Sequence, residues 1–198
     1  MNRKLIWFLE THSKTTTILA IIFSVLLNCL LNYICDTFKL PLFFDSVFTA
    51  VSAALFGIIP GILTGLFTNL LQEVIHGFPL FFYPFAVVNM ATGLIVGILV
   101  KNNYFKTIFK VFLVIIYTAL ANALLGALVV TIVFGGITHS EMDYLVKVLI
   151  MTGQSVFSSA FIARIVVNLV DKGIAVLIAY IIYIKVKQQK ILSWKGKV

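Results

Sequence analysis

The 198-residue chain reads as an all-α integral membrane protein: a bundle of six transmembrane helices with an external capping segment between the fifth and sixth. Three observations carry that reading. Hydrophobic residues make up 61% of the chain and charged residues 11%, with a mean hydropathy of +1.10, whereas a soluble domain carries about 25% charged residues. One small core cannot hide so much apolar surface, which excludes a soluble globular domain; the composition equally excludes a disordered chain or a secreted disulfide scaffold. The apolar residues also fall in runs near the roughly 20 residues that a helix needs to cross hydrocarbon. Finally, the basic residues behind the net charge of +8 sit at the chain ends and in one loop. There they report membrane topology and not a nucleic-acid surface.

The first span is expected over 15–38, before Pro41. The second, 43–59, is short and free of charge after Asp45. Pro60 follows, and proline is favoured in the first turn of a helix, so the third span is 60–75. Gly77 and Pro79 break the chain ahead of the fourth, 82–100. The fifth, 108–134, stops at Gly135-Gly136, and the sixth is 165–186. The interval 138–164 opens polar with His139, Ser140, Glu141 and Asp143. It turns apolar from Tyr144 to Met151 and breaks at Gly153-Gln154-Ser155. A helical hairpin or cap on one membrane face is expected there, with a seventh crossing as the alternative. The whole chain, 1–198, forms one membrane domain.

Six crossings put both termini on one side. Arg3, Lys4, Lys14, Lys101, Lys106, Lys110, Lys185, Lys187, Lys190, Lys195 and Lys197 share that side, while the opposite loops hold Lys39 and Lys147 with Asp36, Glu73, Glu141 and Asp143. The positive-inside rule makes the first side cytoplasmic. No stretch is long enough for a soluble ATPase or DNA-binding domain, and no P-loop or zinc-protease motif occurs. The chain is therefore not expected to be an enzyme, to carry a cofactor or to bind nucleic acid. Cys29 and Cys35 read as packed apolar thiols. Glu73 and His76, three apart, suit a divalent ion but lack a third ligand fixed by spacing, so no metal site is assigned.

Small residues recur at helical spacing. Gly57, Gly61, Gly65 and Asn69 follow one another every four residues, as do Asn89, Gly93 and Gly97, and Asn122 precedes Gly126. Residues four apart share a helix face, and small ones let backbones approach closely where lipid gives helices no hydrophobic reason to associate. Helix packing is the role expected of Gly57, Gly61, Gly65, Asn69, Gly93 and Gly97. An amide at membrane depth faces a partner helix or a cavity, and both remain open for Asn69, Asn89 and Asn122.

Strongly polar side chains cluster at the outer helix ends: Asp45, then Gln72, Glu73 and His76, then Gln154. Arg164, Asn168 and Asp171 follow on one face of the last helix. Ionisable residues inside a membrane mark function and need partners. Phe44, Phe82 and Tyr83 supply aromatic walls, and Asn89 a floor. Apolar walls with a few convergent polar groups make a ligand pocket, so these residues form the expected substrate site. The acids suit a cationic or amine-bearing molecule; Arg164 and Lys172 equally suit a carboxylate.

Taken together, the six spans with a short second one, the run Phe44-Asp45-Ser46 to Gly57-Ile58-Ile59-Pro60-Gly61, the Asn89, Gly93, Gly97 spacing and Asn168-Leu169-Val170-Asp171-Lys172-Gly173 resemble the substrate-binding S-components of energy-coupling factor (ECF) transporters. The resemblance covers nearly the whole chain. It implies capture of a vitamin or related micronutrient on the external side of a bacterial cell membrane. It also implies delivery through a transmembrane coupling subunit and two cytoplasmic ATPases. Where many members carry Ala-xxx-Ala on the first helix for docking, this chain has Ala20 and Ser24. The start Met1-Asn2-Arg3 differs from the Met-His start of the cobalt and nickel members. A membrane sensor module and a stand-alone small-solute transporter are the alternatives.

The eleven-to-two split of basic residues generates a topology test. Single cysteines at Ser140 and Lys190 are expected to react with an impermeant thiol reagent from the outside only and from the inside only, respectively. Reaction of both from one side would refute six crossings.

Overall fold

The computed structural model describes residues 13–138 and 143–195; Arg3, Lys4, His139, Ser140, Glu141 and Lys197 lie outside them. The described residues form seven α-helices and no strand. Helix α1 (Lys14–Thr37) starts at Ser13, whose hydroxyl accepts the Thr16 N–H at 3.1 Å, the usual N-cap bond. A non-helical segment, 38–46, leads to α2 (Val47–Phe56), and Gly57 alone separates α2 from α3 (Ile58–Ile75). Gly57 stands at φ +103°, a conformation that glycine adopts without steric cost. Beyond it the chain doubles back. Ala53 faces Gly61, and the Thr64 hydroxyl lies 3.0 Å from that of Ser52.

A 3₁₀ turn at Tyr83–Phe85 opens into α4 (Ala86–Lys101), and another at Tyr104–Lys106 precedes α5 (Ile108–Val133). Then come α6 (Asp143–Met151) and α7 (Val156–Lys195). By length and apolar composition α1, α3, α4, α5 and α7 can each cross a membrane, and α2 is a shorter apolar helix. Ala50, Ala53, Val96, Val111, Val114 and Val176 bring α2, α4, α5 and α7 together in the main core. Phe23, Phe109 and Ile132 are among the many large apolar side chains left on the outer surface, as expected where lipid is the solvent.

Backbones of α3 and α4 touch. A Cβ on Gly93 would lie 2.3 Å from the Gly61 carbonyl carbon, and one on Gly65 would lie 2.6 Å from that of Asn89. A Cβ on Gly97 would lie 2.8 Å from the Ile58 Cα. Gly57, expected on the same packing face, serves the turn and has no atom within 4 Å of a Cβ. Polar contacts supplement this packing. Fully buried Asn28 donates from Nδ2 to the hydroxyls of Thr49 (3.0 Å) and Thr68 (3.1 Å), while its Oδ1 accepts the Phe48 N–H at 2.8 Å. One amide thus ties α1 to both α2 and α3.

Two boundaries differ from expectation. The second span, placed at 43–59, forms a helix of its own only over Val47–Phe56, and Ile58 and Ile59 already belong to α3. Its first residues are held out of the helix by bonds to α7, described below, and Gly57 ends it. The last helix begins at Val156, not at 165, because Phe157, Ala160 and Phe161 pack on Ala127 and Val130 of α5 with no glycine or proline to interrupt them. From Asp143 to Arg164, where a hairpin or cap is expected, the chain forms the short α6, a loop and the first turns of α7. A nine-residue helix rises about 14 Å, against roughly 30 Å of hydrocarbon, so the described α6 is by itself too short to cross.

The close approach of α3 and α4 predicts opposite outcomes for two glycines. Gly93→Ala is expected to lower stability by about 1–3 kcal/mol or more through overpacking. Gly173→Ala, whose Cβ would meet only Ile115 at 3.9 Å, is expected to be neutral or to gain up to about 1 kcal/mol of helix propensity. Thermal unfolding of both variants in detergent checks this.

Candidate ligand cavity

Two loops at one end of the bundle are wound around buried carboxylates. Asp171 of α7 is fully buried. Its Oδ1 accepts the backbone N–H groups of Phe43 (3.1 Å) and Phe44 (2.9 Å). Its Oδ2 accepts from Lys172 Nζ at 2.6 Å, and the same ammonium donates to Ser46 Oγ at 2.6 Å and lies 3.9 Å from Asp45 Oδ1. Phe44 sits at φ +48°, a left-handed conformation that costs a bulky residue on the order of 1–3 kcal/mol. The charge-assisted bonds to Asp171 offset that cost.

Glu73 plays the same part at the end of α3. Its Oε2 accepts the N–H groups of Phe82 (2.7 Å) and Tyr83 (3.0 Å), and its Oε1 accepts that of Leu80. Phe78 and Leu80 in this loop also have positive φ.

Between the two loops lies a cavity of about 170 Å³. For scale, an apolar cavity of about 150 Å³ takes a benzene ring. Of the side chains expected at the site, Asp45, Gln72, Asn89, Arg164 and Asn168 line it. Glu73 and Asp171 do not, since loop amides occupy their carboxylates. His76 stacks on Phe82 with centroids 4.5 Å apart. Tyr83 is half exposed, and exposed Gln154 accepts the Ser158 hydroxyl at 3.2 Å; neither reaches the wall. Phe81, Phe82 and Phe85 form the aromatic side, braced by Phe134, which stacks on Phe85.

Asn32 and Asp36 also line the cavity and were missed. A signal existed: Asn28, Asn32 and Asp36 recur every four residues on a largely apolar helix, which places them on one face. Lys172 reaches the cavity as well, already neutralised by Asp171.

The amides are linked. Asn89 Nδ2 donates to the Asp45 carbonyl (2.9 Å) and to Asn69 Oδ1 (3.1 Å), and Asn69 Nδ2 donates to the Phe82 carbonyl (3.1 Å). This network joins both loops to α3 and α4. Asn122 Nδ2 bonds Thr92 Oγ1 at 2.7 Å. Among the described residues, Gln72 Nε2, Asn89 Oδ1, Asn122 Oδ1 and Arg164 Nη1 are buried with no hydrogen-bond partner. Buried polar atoms are normally satisfied, so four such atoms around one cavity equip it to bind a polar molecule. No group of three metal-ligating side chains gathers among the described residues.

Long apolar helices around a largely apolar, aromatic-walled cavity with a few polar groups define a multi-pass membrane protein with room for a small molecule. The family model for the substrate-specific component of ECF transporters matches residues 14–183, and the chain belongs to that family. Its members are substrate-binding parts of transporters, which is not an enzyme class. No curated protein and no solved structure gives a significant match.

The clamp on Asp171 generates a stability test. Asp171→Asn leaves the Lys172 ammonium without its closest counter-ion and weakens the bonds to Phe43 and Phe44. Breaking a buried pair costs about 3–5 kcal/mol, so thermal unfolding is expected to fall sharply. Asp171→Asn with Lys172→Met is expected to recover part of the loss, a non-additivity that a double-mutant cycle measures.

Proposed function

We propose that this protein is the capture subunit of an ECF-type importer. It binds a vitamin or related micronutrient from the external side of a bacterial plasma membrane, then passes it on through a coupling subunit driven by two ATPases. The observation that carries the reading is the convergence of unpartnered buried polar atoms and phenylalanine rings in one cavity of a family member. Asp45, Gln72, Asn89, Arg164 and Asn168 are the contact residues in this reading, while Glu73 and Asp171 position the loops that cover the ligand.

The bundle crosses the membrane six times, with 38–46 and α2 together making the second crossing. The cavity end is external and both termini are cytoplasmic. Lys101, Lys106, Lys110, Lys185 and Lys187 lie toward the opposite end, which supports this orientation. α6 and the loops around Asp171 and Glu73 form the external cover. Gly61, Gly65, Gly93 and Gly97 are covered by each other's helices, and Ser24 is buried. Docking to the coupling subunit therefore uses neither the glycine faces nor Ser24, which leaves the cytoplasmic loop at 101–110 as a contact.

In liposomes the purified chain alone is expected to give no uphill uptake, and uptake is expected on adding a coupling subunit and ATPases. Accumulation against a gradient by the chain alone would favour a stand-alone transporter. With coupled uptake established, Asn89→Ala is expected to weaken binding about 5- to 150-fold, while a change at Lys106 leaves binding unchanged.

A further inference from the structure

Arg164 is the chemically unusual member of the cavity wall. It lies in the first third of α7, is 4% exposed and faces the cavity. Gly126 of α5 makes this placement possible. A Cβ there would lie 3.1 Å from Arg164 Cδ and 3.2 Å from Nε, so the side chain crosses α5 where a larger residue would crowd it. Its guanidinium forms no ion pair and donates no hydrogen bond to any described residue, and Nη1 is buried without a partner. A buried cation without a directly bonded counter-ion is costly, and in proteins it is normally paired.

The neighbouring acids are otherwise engaged. Asp171 is held by Lys172 and two backbone amides, and Asp45 is 3.9 Å from Lys172. Asp143 attracts Arg164 electrostatically but accepts from both the amide and the hydroxyl of Thr138. Asp36 is exposed, where water already solvates its charge. Lys172 is satisfied; Arg164 is not.

The second informative atom is Asn89 Oδ1. Amide orientation is often ambiguous, yet here the Asp45 carbonyl can only accept, so the group that bonds it at 2.9 Å must be the Asn89 NH₂. Oδ1 is therefore left as an acceptor awaiting a donor, buried in the same cavity. The amides of Asn122 and Gln72 set no such direction: Asn122 bonds a hydroxyl, which can donate or accept, and Gln72 makes no bond that orders its two ends.

We infer that the ligand is a small monoanion of about one aromatic ring, whose carboxylate or similar oxyanion pairs with Arg164 and which offers an N–H or O–H donor to Asn89 Oδ1. This rests on the capture reading above and adds to it the charge and polarity of the substrate. Phe81, Phe82 and Phe85 provide the ring's surroundings, and about 170 Å³ accommodates it. The inference also assigns Arg164 as the charge-selective residue, with Gly126 as the position that admits it.

The test uses the full chain in detergent and four matched probes: 4-aminobenzoate, benzoate, 4-aminobenzamide and 4-(aminomethyl)aniline. They differ in the charge at one end and the donor at the other. Calorimetric titration is expected to show 4-aminobenzoate binding at least tenfold more tightly than the amide and the cationic amine, and more tightly than benzoate. Arg164→Gln is expected to abolish the preference for carboxylate over amide, and Asn89→Ala the preference for 4-aminobenzoate over benzoate. Should a variant fail to fold, the probe ranking on the unmodified chain decides alone. Tightest binding of the cationic amine or the neutral amide, or no binding of any probe at millimolar concentration, overturns the inference. Tight cation binding lost in Asn89→Ala would do so while leaving capture intact, since capture itself is judged by the liposome assay.

Discussion

The carboxylate of Asp171 is the contact on which the cavity depends. It sits fully buried on α7 yet bonds backbone amides 128 and 127 residues away at Phe43 and Phe44. An ionised carboxylate in a low-dielectric bundle needs both a counter-charge and donors. Lys172, the next residue, supplies the charge and extends the clamp to Ser46. With 43–46 held against α7, the chain enters α2 already inside the bundle, and a ten-residue helix suffices to reach the turn at Gly57. The same segment presents Asp45 to the cavity and its carbonyl to Asn89.

Glu73 repeats the device on the facing loop, and Asn69 with Asn89 connects the two. The cover of the cavity is thus built from backbone amides gathered on side chains that belong to helices. Loops of this kind hold bulky residues at positive φ, as at Phe44, Phe78 and Leu80, because the surrounding bonds over-determine them.

The chemistry of the charged residues follows from who satisfies whom. Acids and bases are nearly balanced at this end of the bundle, which on composition favours neither a cation nor an anion as ligand. Pairing breaks the symmetry. Asp171, Glu73 and Lys172 are consumed by the fold, whereas Arg164 Nη1 and the buried acceptor of Asn89 are not. Selectivity in such a site arises from the groups that folding leaves unsatisfied, because a ligand gains most where it removes an existing desolvation penalty.

By itself the sequence determined that the chain is a membrane bundle and roughly where its helices run, because apolar length and glycine or proline breaks are local properties. α1, α3, α4 and α5 lie within a few residues of their expected positions, and half of the expected ligand-binding residues do line the cavity. The short α2 and the early start of α7 were not legible, since each depends on partners far along the chain: Asp171 for the one, Ala127 and Val130 of α5 for the other. Nor were the roles of Glu73 and Asp171. An acid at a helix end reads the same whether it meets a ligand, water or a loop's amides. Only the tertiary structure decided that these two acids hold the loops while Arg164 faces the cavity. Hydrogen-bond satisfaction is a property of neighbours in space, and the order of residues does not state it.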